Sequence, residues 1–470
     1  MDLISVVSGL LPYVKYSVVI LIILFVGYFV YRKFFYKQYP IRLSTFVCIT
    51  LLICWAVVVV GITTLSRPAN FTGQVNTSLF SGYINAWNKW SLFELQLIIF
   101  NMVMFMPLGA LLPLLHKKNR LFWRVLVLSL VVTLSLEVFQ LLSGKGIFEL
   151  DDLLHNTVGS LAGYFFMMGI IEVIKQRKLK LAPVVRAIAI PLSFAVLFGI
   201  ATIVYEAQEF GNMPFKPAQK QSMEQVHVQL ETTLFDQKAG ACIYYNEDIR
   251  NKKVIKDIAH SIAKQFQLQQ VGGLRRESEN LSFAFVDAEG TNYSLSYSIT
   301  NGTWDWYTDH LDENPSPADI KQQRQLIEDW LKKESLLPSE AFYQQQDERT
   351  IRWDLAKPEN RQTACEDFSE GMIIATLSNR QKPESLFYMI SNNEMVAKEP
   401  IISQKDAYEA LVNGEFSLFN PLQKGDTLTI TDVQLTYAYD TKGYYRPAYE
   451  FTGSVNDPDF VVTIAIDAMQ

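Results

Sequence analysis

The sequence contains few of the residues that most often carry metal, disulfide or phosphate chemistry. Its 470 residues include four cysteines, with no CxxC pair, and five scattered histidines. Four cysteines are too few for a disulfide-built scaffold, and the histidines form no metal-binding box. No HExxH motif, P-loop, GxGxxG motif or Ser-His-Asp order is present. We therefore assign no cofactor and no metal site.

Charge is distributed unevenly along the chain. Residues 1–205 carry 17 Lys and Arg against 7 Asp and Glu, whereas residues 206–470 carry 25 against 41. The larger, acidic part would repel a phosphate backbone, which argues against a nucleic-acid partner. The pattern instead indicates a basic membrane region followed by an acidic, water-soluble region.

Long apolar runs occupy most of the first 205 residues. Each approaches the roughly 20 residues that cross the hydrocarbon layer of a bilayer. The predicted spans are 14–31, 43–64, 91–114, 123–142, 152–174 and 187–205. The expected fold is therefore a membrane all-α bundle of six transmembrane helices, followed by a soluble α+β region.

The charges of the loops predict the orientation of the bundle. Basic residues concentrate after the first span, between the third and fourth, and between the fifth and sixth. The alternate connections carry only Arg67 and Lys89, and then Lys145. Because basic loops favour the cytoplasm, we expect a multi-pass cell-membrane protein whose N-terminus and soluble region are both extracytoplasmic.

This topology predicts which introduced cysteines react from outside. A cysteine replacing Thr300 should be labelled in intact cells by an impermeant maleimide, whereas one replacing Asn119 should be labelled only after lysis. Labelling at position 119 in intact cells would reverse the orientation.

In this orientation, polar residues from three spans lie near the outer surface. Ionisable residues within a span are costly and most often functional. Asp152 and Asn156 are four residues apart, as are Asp151 and His155, and Glu137 and Gln140 are three apart, so each pair shares a helix face. The candidate cluster is Asn101, Glu137, Gln140, Asp151, Asp152, His155 and Asn156. We expect Asp152 and Asn156 to face the bundle interior with Glu137 and Gln140, and Asp151 to lie nearer water.

Structural roles are the alternatives for this cluster. The aspartates occupy a helix N-terminus, where carboxylates act as caps, and Glu137 would also serve as interhelical glue bonded to Asn156 or Gln140. Small residues in the same spans predict close helix packing, and a proline bends a helix. These packing residues are Pro107, Gly109, Gly159 and Gly163.

The segments "FNMVMFMPLGALLP" and "EVFQLLSGKGIFELDDLLHNTVGSLAGYFF" resemble the VanZ-like family of bacterial membrane proteins over about residues 45–175. This resemblance implies a cell-envelope role, and the founding member of the family is associated with resistance to the glycopeptide teicoplanin. The family often has Arg before its aspartates, but this chain has Ile147-Phe148-Glu149-Leu150. A phosphate-gripping Arg is therefore not expected there, and Lys145 is the nearest cation in sequence.

The acidic region begins with a polar stretch, 206–225, that contains two prolines and is typical of a linker. A helix followed by a hairpin then occurs twice, which predicts α+β modules at 226–338 and 339–470. Residues 398–455 resemble PepSY-like modules and soluble regulators of bacterial cell-wall two-component systems, which implies binding to an envelope protein. If this region is extracytoplasmic, Cys242 and Cys365 are candidates for a disulfide.

Two functions fit these observations. The first is a non-enzymatic envelope protein that binds a lipid or lipid-linked envelope component at the outer leaflet and contributes to teicoplanin-type resistance. The second is an enzyme acting on a lipid-linked wall precursor, with Glu137 or Asp152 as general base or with Asp151, Asp152 and Glu137 around a divalent ion. We favour the first function, because no nucleophile and no set of phosphate-binding cations lies at the same depth.

Overall fold

The computed structural model describes residues 3–34, 41–67, 69, 74–177, 181–277, 279–308, 316–356, 365–378 and 382–469. The chain divides into two compact units. One contains residues 2–86 and 92–208, and the other contains residues 87–91 and 209–470. The predicted fold class is confirmed: six long apolar helices are followed by a sheet-rich α+β region.

The described residues of the first unit form seven α-helices. They are α1 (Leu3–Phe34), α2 (Leu43–Val60), α3 (Ser81–Asn88), α4 (Leu92–Leu115), α5 (Phe122–Ser143), α6 (Leu150–Gln176) and α7 (Leu181–Ala207). All except α3 are long and apolar enough to cross a membrane. A π-helical turn extends α2 over Gly61–Leu65, and the two-residue strands β1 (Val75–Asn76) and β2 (Phe148–Glu149) pair in parallel beside α3 and α6.

Three of the predicted packing glycines lie where α4 and α6 approach most closely. A Cβ atom at Gly159 would overlap the carbonyl of Met102, and one at Gly163 would overlap the carbonyl of Met106. A Cβ atom at Gly109 would in turn overlap the Ser160 carbonyl of α6. Backbone therefore meets backbone at three levels, which fixes the depth of α4 relative to α6. Helix α4 continues through Pro107.

The second unit contains an eight-stranded antiparallel sheet in the order β5-β6-β7-β8-β13-β12-β10-β9. Its strands are β5 (Gln269–Glu277), β6 (Asn280–Val286), β7 (Asn292–Ser298), β8 (Trp304–Thr308), β9 (Phe342–Gln345), β10 (Thr350–Asp354), β12 (Met372–Thr376) and β13 (Ser385–Tyr388). Helices α8 (Lys252–Gln265) and α9 (Pro317–Lys333) contribute to its buried core. A Ser316–Asp319 capping box begins α9.

A seven-stranded sheet completes this unit, with the order β11-β14-β4-β16-β15-β3 and with β17 also paired to β16. Its strands are β3 (His227–Leu230), β4 (Gly240–Tyr245), β11 (Phe368–Glu370), β14 (Ser391–Pro400), β15 (Thr427–Tyr439), β16 (Tyr444–Val455) and β17 (Asp457–Asp467). Helix α10 (Gln404–Val412) packs Ala407 and Leu411 into its core. Both sheets combine strands from before and after residue 338, so the predicted module boundary does not coincide with a boundary between sheets.

The segment after α7 is tied to the hairpin between β15 and β16. The backbone N–H of Gly211 donates to Asp440 Oδ2 at 2.6 Å, and the guanidinium of Arg446 donates to the Gly211 carbonyl at 2.8 Å. Lys216 pairs with Asp467 at 2.7 Å. Residues 209–216, which we expected to belong to a linker, therefore form part of the folded unit.

The glycine contact predicts a specific loss of stability. Gly159→Ala would push a Cβ atom into the Met102 backbone. Overpacking of this kind costs about 1–3 kcal/mol, so the purified variant should unfold at a lower temperature in detergent than the unmodified protein. Gly199→Ala in α7 is the matched control, because nothing lies within 4 Å of that position. Equal unfolding temperatures for the two variants would contradict close packing of α4 and α6.

Candidate functional site

Asp151, in the first turn of α6, is anchored to the start of α3. Its carboxylate accepts hydrogen bonds from the Phe80 N–H at 2.5 Å, the Gly82 N–H at 2.7 Å and the Ser81 hydroxyl at 3.1 Å. The first N–H groups of a helix have no partner within the helix and carry partial positive charge. A carboxylate placed there accepts their hydrogen bonds and offsets that charge. Asp151 thus holds α3 against α6, and both of its oxygens are occupied.

The prediction that Asp151 lies nearer water than Asp152 was wrong. Asp151 is 4% exposed, whereas the side chain of Asp152 keeps 25% of its surface exposed. The reversal is caused by α3, an eight-residue helix that the apolar periodicity did not identify and that covers Asp151.

Asp152 joins α6 to α4 and faces a buried histidine. The amide of Asn101 donates to Asp152 Oδ1 at 2.6 Å, and Nδ1 of His155 lies 3.9 Å from the same oxygen. His155 is 2% exposed, and neither ring nitrogen has a hydrogen-bond partner among the described residues. Two of the predicted site residues, Asn101 and Asp152, are therefore in contact, and the unsatisfied imidazole of a third, His155, lies beside them.

Glu137 and Gln140 are both buried in α5, as predicted, but they bind different parts of the bundle. Glu137 Oε2 accepts the N–H of Glu149 at 3.2 Å, which fixes the loop that leads into α6. Gln140 donates to the Thr63 carbonyl at 3.1 Å, in the π-helical turn after α2. The hypothesis that Glu137 is glue bonded to Asn156 or Gln140 is wrong, since neither residue is its hydrogen-bond partner in the described part of the chain.

Asn156 belongs to a polar seam between α5 and α6. Its amide donates to the Thr133 hydroxyl at 2.9 Å, and one turn deeper Ser129 and Ser160 share a hydrogen bond of 2.6 Å. All four residues are buried. Interhelical hydrogen bonds of this kind hold membrane helices in register, so the seam continues the structural role of Asn156 below the carboxylates.

Two charged residues outside the predicted candidate cluster also belong to the site. Arg67 lies just after the π-helical turn that extends α2, and its side chain reaches Gly146. A Cβ atom added to Gly146 would lie 3.5 Å from Nη1 of Arg67. Its charge acts on Glu137, Glu149 and Asp152. No periodic signal would have found it, because it reaches the site from a loop distant in sequence.

Glu149 is the second omitted charge. Burial raises the pKa of its carboxyl, and the charge of Asp151 adds to this, while a hydrogen bond from Asn76 and the charge of Arg67 oppose it. The Asn76 amide lies 3.5 Å from Glu149 Oε1. The strand pair of β1 and β2 brings these two residues together.

Tyr83 of α3 provides the aromatic wall of the site. Its ring meets the His155 ring edge to face, with centroids 5.2 Å apart. Burial, together with the charge of Asp151, raises the pKa of Tyr83 to about 12, so the phenol stays protonated and remains a hydrogen-bond donor at neutral pH.

The described residues contain no group of three His, Cys, Asp or Glu side chains placed to hold a metal ion. Asp151, one of the three ligands in the divalent-ion hypothesis, is already committed to α3. The hypothesis of a divalent ion held by Asp151, Asp152 and Glu137 is therefore not supported by this geometry.

Cys242 and Cys365, in the second unit, form a disulfide with their Cα atoms 5.6 Å apart. Cys242 is fully buried in β4, and the bond packs beside Tyr244, Phe368 and Tyr437. The aromatic residues of the β15–β16 hairpin therefore contribute at least in part to a core at this position.

Six span-length helices followed by a soluble sheet region define a multi-pass membrane protein with an appended α+β region. Residues 45–173 match the VanZ/LLP1 family. This segment is accordingly VanZ-like, as its motif predicted, and it contains every candidate residue of the membrane site.

Two solved structures are similar to the chain. The Bacillus megaterium YpeB C-terminal domain is 14% identical, and the similarity covers 47% of this chain and 93% of that domain with a TM-score of 0.20. An uncharacterised protein from Eubacterium rectale is 12% identical, covering 53% of this chain and 88% of that protein with a TM-score of 0.21. We base no functional argument on similarities this distant. No curated protein matches the chain.

Proposed function

We propose that this VanZ-type envelope protein binds an amphipathic ligand at the outer leaflet and thereby contributes to resistance to lipoglycopeptides of the teicoplanin type. The observation that carries the proposal is the group formed by Glu137, Glu149 and Asp152 at one end of the bundle, each with one carboxylate oxygen that lacks a hydrogen-bond partner among the described residues. Unsatisfied acceptors beside apolar helices suit a ligand that combines a polar group with a lipid chain.

The proposed location follows from loop charge and from the disulfide. The loop charges of the sequence support an outer location for this end of the bundle, because basic loops favour the cytoplasm. Disulfides persist in oxidising compartments and are rare in the cytosol, so the Cys242–Cys365 bond supports an extracytoplasmic soluble region. We propose that this region binds an envelope protein partner, in keeping with its resemblance to PepSY-like modules.

The second candidate function is an enzyme acting on a lipid-linked wall precursor. Arg67 favours it, because a guanidinium is suited to holding a phosphate. A single arginine without a neighbouring nucleophile is a small catalytic set, however, and binding remains our conclusion. Turnover of a lipid-linked precursor by the purified protein, lost in Arg67→Gln, would favour the enzyme instead.

The binding proposal predicts a susceptibility phenotype. Deletion of the gene should lower the inhibitory concentration of a teicoplanin-type lipoglycopeptide and change the amount of fluorescent drug on the cell surface. Complementation with Glu137→Gln or Asp152→Asn should fail at normal protein level. Loss of a hydrogen bond to a charged group costs about 1.5–3 kcal/mol, which corresponds to roughly tenfold or more in affinity.

The matched control is Glu172→Gln, which alters a partly exposed carboxylate near the other end of α6 that pairs with Arg186. It should complement fully. Full complementation by Glu137→Gln and Asp152→Asn, with both proteins present at normal level, would contradict the proposal.

A further inference from the structure

We infer that the group held by this site is a primary ammonium. The inference rests on the proposed function and specifies the chemistry of its ligand. The site consists of Glu137, Glu149 and Asp152, which we call the carboxylate triad, together with His155 and Tyr83.

The triad offers three open acceptors. Glu137 uses Oε2 for the Glu149 N–H, Glu149 uses Oε1 for Asn76, and Asp152 uses Oδ1 for Asn101. The second oxygen of each carboxylate has no hydrogen-bond partner among the residues that the structure describes. An ammonium carries three N–H donors and no acceptor, so its donor count equals the number of open oxygens.

The charge of the site has the matching sign. The three carboxylates of the triad act on one another, and the charge of Arg67 acts on all three. Asp151 adds negative charge that acts on Glu149 and Asp152, although the start of α3 occupies both of its oxygens. Three carboxyl groups face one guanidinium, and a cationic ligand would favour their ionised forms by offsetting the negative charge.

His155 supplies an independent indication that a polar ligand belongs here. The imidazole is almost fully buried and unsatisfied, and Nδ1 faces Asp152 at 3.9 Å. Burial of a polar group without a hydrogen bond is costly. A ligand N–H donor placed beside Asp152 and within reach of this nitrogen would supply the hydrogen bond that it lacks.

Aromatic contacts favour a primary ammonium over a fully methylated one. Recognition of quaternary ammonium groups uses cages of several aromatic rings. Here Tyr83 is the aromatic ring in contact with His155, and the remaining polar wall is made of carboxylates and the Asn101 amide. Hydrogen-bond acceptors therefore outnumber aromatic faces, which suits N–H donors and not methyl groups.

The test compares ligands that differ in the ammonium group alone. Native mass spectrometry of the full-length protein in detergent would measure retention of phosphatidylethanolamine against phosphatidylcholine with the same acyl chains. We expect about tenfold preference for phosphatidylethanolamine, the effect of one charge-assisted hydrogen-bonded contact. Hexadecylamine should displace the retained lipid and hexadecanol should not, because the amine carries the ammonium without a phosphate.

Variants locate the preference in the triad. Glu137→Gln and Asp152→Asn keep side-chain shape and should abolish the preference, whereas Glu172→Gln should retain it. Size exclusion and thermal unfolding check that each variant is folded, and the comparison of amine with alcohol needs no variant. Equal retention of the two lipids by the unmodified protein, or equal displacement by amine and alcohol, would overturn the inference.

A further arm distinguishes the two sources of the ammonium. If a lipoglycopeptide with a free amine displaces phosphatidylethanolamine and its N-acetylated form does not, the antibiotic supplies the group. If neither displaces it, the source is a lipid headgroup, and the inference stands in both cases. A selective ammonium site without a susceptibility phenotype would refute the proposed resistance function alone, whereas a phenotype without ammonium selectivity would refute this inference alone.

Discussion

The hydrogen bonds from the start of α3 to Asp151 are the interaction on which the membrane site depends. They hold a short helix against the first turn of α6. Phe80 donates to one oxygen of the Asp151 carboxylate, and Ser81 and Gly82 donate to the other. The adjacent Asp152 is left to face Asn101 and the site. Neighbouring aspartates thus have opposite roles, one in holding the fold together and one in presenting an open oxygen.

Other contacts within the bundle position Asn101, Asp152 and Glu137. The glycine contacts between α4 and α6 bring Asn101 within hydrogen-bond distance of Asp152. The polar seam between α5 and α6 holds those helices in register, so that Glu137 reaches the Glu149 backbone. Close backbone packing and buried hydrogen bonds are the main forces between helices in lipid, where apolar burial between helices gives no advantage. Packed helices therefore position Asn101, Glu137 and Asp152, whereas Arg67 and Glu149 reach the site from connecting segments.

Sequence reasoning predicted the features that repeat along a single helix. The six spans, the glycine stripe and the burial of Glu137 all follow from apolar length or helical period, and the structure contains each of them. Sequence reasoning did not predict which aspartate would be buried. That depends on α3, whose eight residues contain no apolar run that would have revealed the helix. Nor did this reasoning place Arg67, because a loop residue reaches the site through tertiary structure and leaves no spacing pattern.

In the soluble region, too, the sequence predicted local elements but not tertiary contacts. The helices and long hairpin of this region were recognisable from the helical spacing of apolar residues and from alternation, as α8 and the β15–β16 pair illustrate. The order of the strands was not recognisable from the sequence, because β4 pairs with β14 and β16 across more than a hundred residues of chain. Local patterns specify elements, whereas pairing between distant strands is decided by the packing of the complete fold.

Hydrogen–deuterium exchange of the full-length protein in nanodiscs tests the central claim most directly, because it reports on the amides that Asp151 binds. The peptide covering Phe80–Gly82 should be protected in the unmodified protein and should exchange faster in Asp151→Asn, whose side-chain amide nitrogen cannot accept an N–H. The same peptide should stay protected in Asp152→Asn. Identical exchange of this peptide in the unmodified protein and in Asp151→Asn would contradict the account.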